Sequence, residues 1–273
     1  MHHPPRSSYA IMTLATAAAL LLCGPRARAA PVTACTALNI CYCINPDNKA
    51  AIDANVARVR QVLADERSRG KTIGYLSIPL STAGGSFFGV NRDVAQQSKE
   101  SVEKRFGAQS LYLLNPGAEG NLPAGASGAD YMLMWTTILE GSRGLGEDFD
   151  FFYFTGPKEF SRFFALTGEA DFVALDGYFD RRLASDPDFK KAVDQGKVTK
   201  PSFRTYYGLK ASVTFSYGSH DEWNIARLLN ERRRGANDFG IAGQLPILFD
   251  GQAVNPSNYE APVSGGDVGR CIN

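Results

Sequence analysis

The run KTIGYLSIPLSTAGGSFFGVNRDVAQQSKESVEKRFG, residues 71–107, decides the fold. Its first ten residues are short, mostly apolar and followed by turn formers, which predicts a buried strand. STAGGSFFGVN (81–91) then reads as a glycine-containing loop, and Asn91 stands where it can cap the helix that runs to Gly107. The unit recurs. QSLYLLNPG (109–117) is strand and turn, SGADYMLMWTTILEGS (127–142) a helix, DFDFFYFTGP (148–157) a third strand, and KEFSRFFALTG (158–168) another helix. Alternation of this kind predicts an α/β fold: an open, mostly parallel sheet with helices on both faces.

Upstream of the deciding stretch, Ile52, Val56, Val59, Val62 and Leu63 share one helical face between Pro46 and Gly70. Downstream, residues 169–207 break the rhythm, so about 158–210 is expected to be a helical insertion. Within it, DFVALDGYFDRRLASDPDFKKAVDQGKV (171–198) reads as charged helix and KPSFRTYYGL (200–209) as a connector. The rhythm resumes with a strand expected over LKASVTFSYG (209–218), a helix over DEWNIARLLNERRRGA (221–236) and a strand in QLPILFDG (244–251). A tail of turn composition follows.

The N-terminus reads as an export signal. Arg6 precedes an apolar run from Ala10 to Gly24, too short for a comfortable membrane span, and Ala27-Arg28-Ala29 is an A-x-A cleavage site. The expected mature chain, from Ala30, is a single domain exported to the periplasm or beyond, with no stable membrane insertion after cleavage. Leu22 is larger than the residue expected before a lipidated cysteine such as Cys23. Loss of residues 1–29 removes three arginines and no acids, leaving 26 basic against 28 acidic side chains. That balance gives no reason to expect nucleic acid as a partner.

Cys35, Cys41, Cys43 and Cys271 remain, an even number in an exported chain, and predict two disulfides. Cys41 and Cys43 are too close in an extended segment to bond each other comfortably, so one of them pairs with Cys35 and the other with Cys271. Zinc is the competing reading of C-x5-C-x-C, with a spacing unlike a finger or ribbon.

In open parallel sheets, ligands bind beyond the carboxyl ends of the strands. The candidate contacts to a small-molecule ligand are therefore Ser77, Gly84, Gly85, Asn91, Asn115, Thr155 and Ser219. His220 is the one histidine after residue 29. Ser219-x-x-Glu222 also fits a capping box, a purely structural account of the same residues. A serine hydrolase built on His220 would draw its nucleophile from Ser77, Ser81 or Ser219. The chain has no G-x-S-x-G elbow, no P-loop, no G-x-G-x-x-G after a strand and too few histidines for an ordinary metal hydrolase. No cofactor and no metal are expected. Carboxylate chemistry remains, in which a Glu attacks a sugar carbon.

Two segments, Tyr75-Leu76-Ser77-Ile78-Pro79 and FSYGSHDEWNIA (215–226), resemble the nucleoside 2-deoxyribosyltransferase-like family. The resemblance implies a flavodoxin-like sheet and cleavage or exchange of the bond between a base and its sugar. It puts Glu222 in the place of the nucleophile, with Tyr75 as its partner on the first strand. Asp221 and His220 are expected beside it, orienting the nucleophile and contacting a leaving group. A non-catalytic binding protein on the same fold is the alternative. The aromatics of FSRFF and DGYFDRR, with Tyr206 and Tyr207, would then form a lid over a flat ligand.

Overall fold

A computed structural model describes residues 30–80, 83–210, 217–235, 243–255 and 269–272. Residues 1–29, where the export signal is expected, Ser81, the centre of the strand expected over 209–218 and most of the tail (256–268) lie outside the described residues. The chain opens on a hairpin, β1 (Val32–Cys35) and β2 (Cys41–Ile44), followed by helix α1 (Lys49–Ser68). Then come β3 (Thr72–Ser77), α2 (Phe88–Phe106), β4 (Leu111–Leu114), α3 (Gly128–Glu140) and β5 (Phe151–Phe154). Four helices follow: α4 (Pro157–Phe164), α5 (Asp171–Ser185), α6 (Pro187–Asp194) and α7 (Lys200–Thr205). Helix α8 (Tyr217–Gly235) leads to β6 (Ile247–Phe249) and β7 (Gln252–Val254).

The main sheet has the order β4-β3-β5-β6-β7; the first four strands are parallel and β7 is antiparallel to β6. From β3 the chain moves one way to β4, then back past β3 to β5. Right-handed crossovers in opposite directions must lie on opposite faces, so α2 covers one side and α3 the other. The alternation within β3 divides accordingly. Ile73 and Tyr75 join the apolar layer of α1, α3 and α8, whereas Leu76 joins the layer of α2 and α4–α7. Gly74, between them, has no room for a side chain: a Cβ there would lie 2.2 Å from the Phe151 ring.

The insertion is helical, but not as the sequence suggested. Asp186 breaks the long expected helix, its carboxylate accepting from the amides of Asp188 and Phe189 while Pro187 opens α6. The expected connector is instead helix α7 and a π-helical turn over Tyr206–Lys210. The strand expected over 209–218 is thereby overturned at both ends, since 206–210 is helical and α8 already begins at Tyr217. Nor do the aromatics form a lid. Phe160, Phe164, Phe179, Phe203 and Tyr207 are buried against one another and against α2, the packing of an ordinary helical subdomain.

Both disulfides form, Cys35 to Cys41 across the hairpin and Cys43 to Cys271, which removes the zinc reading. The hairpin itself was not expected. Its turn docks on Glu140 at the end of α3, whose carboxylate accepts from the Thr36 hydroxyl and the amides of Ala37 and Leu38. Strand β7 was also missed. Asp250 and Gly251, both at positive φ, make the tight turn from β6, and the Asp250 carboxylate accepts from Gly156 N and Lys158 N at the start of α4.

Candidate functional site

Strand order reverses between β3 and β5, and the candidate site lies at the carboxyl ends of those two strands. Tyr75 and Ser77 are two residues apart in β3, so the pleat sends both side chains to the same face. Helix α8 crosses that face. From it, Glu222 accepts the Tyr75 hydroxyl on Oε1 at 2.6 Å and the Ser77 hydroxyl on Oε2 at 2.5 Å. All three residues are buried. Thr155, just past β5, donates its amide and its hydroxyl to the Ser77 carbonyl at 3.0 and 3.1 Å. The two strand ends are therefore tied together directly beneath the carboxylate.

The surroundings are apolar. The Tyr75 ring meets Trp135, Phe149 and Phe152, and Trp223, next to Glu222 in the chain, packs edge-on against Phe154 at 4.8 Å. Burial in this shell raises the Glu222 pKa to about 7, the Ser77 and Tyr75 hydroxyls pull it down, and the neighbouring charge of Asp221 pushes it up again. For Tyr75, burial and the Glu222 charge hold the phenol well above its ordinary value. The pair thus consists of a permanently protonated donor and an acid that titrates near neutrality.

Helix α8 is placed rigidly. Asn230, fully buried, donates to the Leu245 carbonyl at 3.0 Å and accepts from the Leu245 amide at 2.6 Å. Arg233 donates to the carbonyls of Leu145 and Gly146, and Arg232 to that of Ala37. These arginines do more than complement the helix dipole: they bind α8 to two loops.

Comparison with known proteins adds no relative to this geometry. No family model, curated protein or solved structure matches the chain.

The expected site residues divide into those that meet and those that do not. Tyr75, Ser77, Thr155 and Glu222 are brought together. Asp221 is buried beside Glu222, and His220 is half-buried in the first turns of α8. Because residues one or two apart on a helix point in different directions, neither shares the face that presents Glu222. Ser219 is buried within α8, two residues after its first, and both Glu222 oxygens accept from β3, so the capping-box reading is replaced.

The other candidates lead elsewhere. Gly84 and Gly85 form a tight turn whose second residue, at φ +100°, packs on the Ser202 backbone of α7. Asn91 does not cap α2, which starts three residues earlier; it is fully buried and accepts from the Tyr207 hydroxyl at 2.7 Å. Asn115 closes its own turn by accepting from Gly117 N. Among the described residues no group of three or more His, Cys, Asp or Glu side chains is placed to hold a metal.

Two parts of the site escaped the sequence reading. Trp135 and Trp223, which wall it, lie in helices the sequence predicted but were not singled out there. Ser77 was assigned to a ligand, although its spacing of two from Tyr75 already put both hydroxyls on one face.

Proposed function

We propose that the protein is an exported enzyme that breaks or transfers the N-glycosidic bond of a nucleoside- or nucleotide-like ligand, with Glu222 as nucleophile. One observation carries this reading: a carboxylate held on both oxygens by strand hydroxyls, in an apolar shell, at the point where the strand order reverses. A ligand binding at the strand ends would bring its anomeric carbon to this group. In the first step a Glu222 oxygen bonds to that carbon while the carbon–nitrogen bond breaks; the electron pair leaves with the base, which takes a proton from solvent. In the second, water or another base bonds to the same carbon, the ester bond to Glu222 breaks and frees the carboxylate, and the incoming nucleophile's proton passes to solvent. The Tyr75 and Ser77 hydroxyls favour the charged, attacking form of Glu222 against the effect of its burial.

Export is supported by the A-x-A signal pattern and by the two disulfides, which persist in oxidising compartments. No helix among the described residues is long and apolar enough to cross a membrane. The serine hydrolase reading loses support at Ser77, whose hydroxyl donates to Glu222, and at Ser219, which is enclosed in α8.

The test uses the oxidised chain from Ala30, incubated with nucleosides, nucleotides and dinucleotides and assayed by mass spectrometry for free base. Release by the parent, reduced at least about a hundredfold in Glu222→Gln, is the expected result. Base release at an unchanged rate in that variant rejects the nucleophile. Glu222 keeps only 7% of its surface exposed, which also suits a carboxyl that orients a bound ligand without attacking it. Under that reading no base is released and Glu222→Gln changes only ligand affinity.

A further inference from the structure

The two oxygens of Glu222 are held by different means. Both donors are buried, but the Tyr75 ring is held between Trp135, Phe149 and Phe152, so its hydroxyl has one place to go. Ser77 is the last residue of β3, two residues closer to the carboxyl end and roughly 7 Å further along the strand. Its hydroxyl turns on a single short arm. Oε2 is therefore bound from the last residue of the strand, at the end where ligands of such sheets bind, and Oε1 from two residues further in.

We infer that these oxygens have different roles: Oε1 is the anchor, fixed by Tyr75, and Oε2 is the oxygen that meets a ligand, with Ser77 as the positioning residue that orients it and keeps it charged. Thr155 completes the device. By donating twice to the Ser77 carbonyl it holds the backbone from which the Ser77 hydroxyl reaches Glu222. The groups bearing on the carboxyl are Tyr75 and Ser77 from β3 and Asp221 from α8 itself, with His220 two residues earlier on the same helix. Only the ligand-contact half of this inference rests on the proposed glycosidic chemistry.

The decisive experiment follows the carboxyl stretch of Glu222 by infrared spectroscopy from pH 5 to 9 in the full oxidised chain, its band assigned by its loss in Glu222→Gln. Ser77→Ala is expected to raise the titration midpoint by about one pH unit, through loss of one donor to the charged form, and Ser77→Thr to restore it. Where base release is measured, the acidic limb of its pH profile should move with the infrared midpoint while KM changes less than about twofold. Tyr75→Phe, which also removes a donor to the charged form, should raise the midpoint as well and in addition lower the pH-independent kcat, because the anchor is lost. An unmoved midpoint in folded Ser77→Ala, or a Ser77→Thr variant that behaves like Ser77→Ala, overturns the inference. A parent with no turnover defeats the glycosidic reading but leaves the infrared result to decide the role of Ser77.

Discussion

A carboxyl group with a pKa near 7 links ionisation to stability. The folded-state value of Glu222 lies above the ordinary 4.5, so between those values the folded chain holds a proton that the unfolded chain has lost. The resulting stability is complete below about pH 4.5 and is lost as pH rises through about 7. Glu222→Gln removes this titration. Its stability relative to the parent should therefore rise between pH 5 and pH 8, by an amount on the order of 3 kcal/mol at most, since each pKa unit corresponds to about 1.4 kcal/mol. Urea unfolding of both proteins at the two pH values checks the sign; a constant difference would mean that the carboxyl is already ionised at pH 5.

At the level of elements, the apolar runs behind β3, β4 and β5 were plain in the sequence because strands buried on both faces need them. The hairpin and β7 were not, since three or four residues give no periodicity to read. Asn91 shows how a boundary goes wrong: glycines suggested that the loop lasted to residue 91, yet Asn91, Val94, Ala95, Ser98 and Val102 form one buried helical stripe. Likewise the strand expected to run to Gly218 and the helix expected from Asp221 leave out what the structure shows, since 217–220 already lie in α8. Tyr75 and Glu222 were found from a two-segment resemblance, whereas the bond between them depends on how α8 crosses the sheet, which no local pattern specifies. That crossing is maintained in part by Asn230. Its replacement by Ala would leave the buried amide and carbonyl of Leu245 without their partner, at a cost of about 2–3 kcal/mol. Chemical denaturation should show that loss, and Glu222 titration should shift with it if α8 tilts.

For the whole molecule, the second disulfide matters more than the first. Cys43 and Cys271 are 228 residues apart in sequence, Cys35 and Cys41 only six. In the chain-entropy account the long loop is worth about 5 kcal/mol and the short one about 2. Cys271→Ser should accordingly lower the urea midpoint under oxidising conditions clearly more than Cys35→Ser; equal losses would indicate that native contacts, not chain restriction, set the effect. The long bridge is reinforced locally, with Gly269 N donating to the Cys41 carbonyl and Cys271 N to the Thr33 hydroxyl. Through the Glu140 and Arg232 contacts, the same hairpin is joined to α3 and α8, the helices that carry Trp135 and Glu222.

The two indoles of this chain flank one carboxyl group: Trp135 lies 6.2 Å from the Tyr75 ring that binds it, and Trp223 adjoins it on α8. The protein therefore carries its own optical probe. Excited at the red edge, all of its emission comes from beside Glu222, and a negative charge appearing there perturbs both emitters at once. Emission against pH should trace a sigmoid centred at about 7 that vanishes in Glu222→Gln, and any molecule entering at the strand ends should announce itself in the same signal without a label.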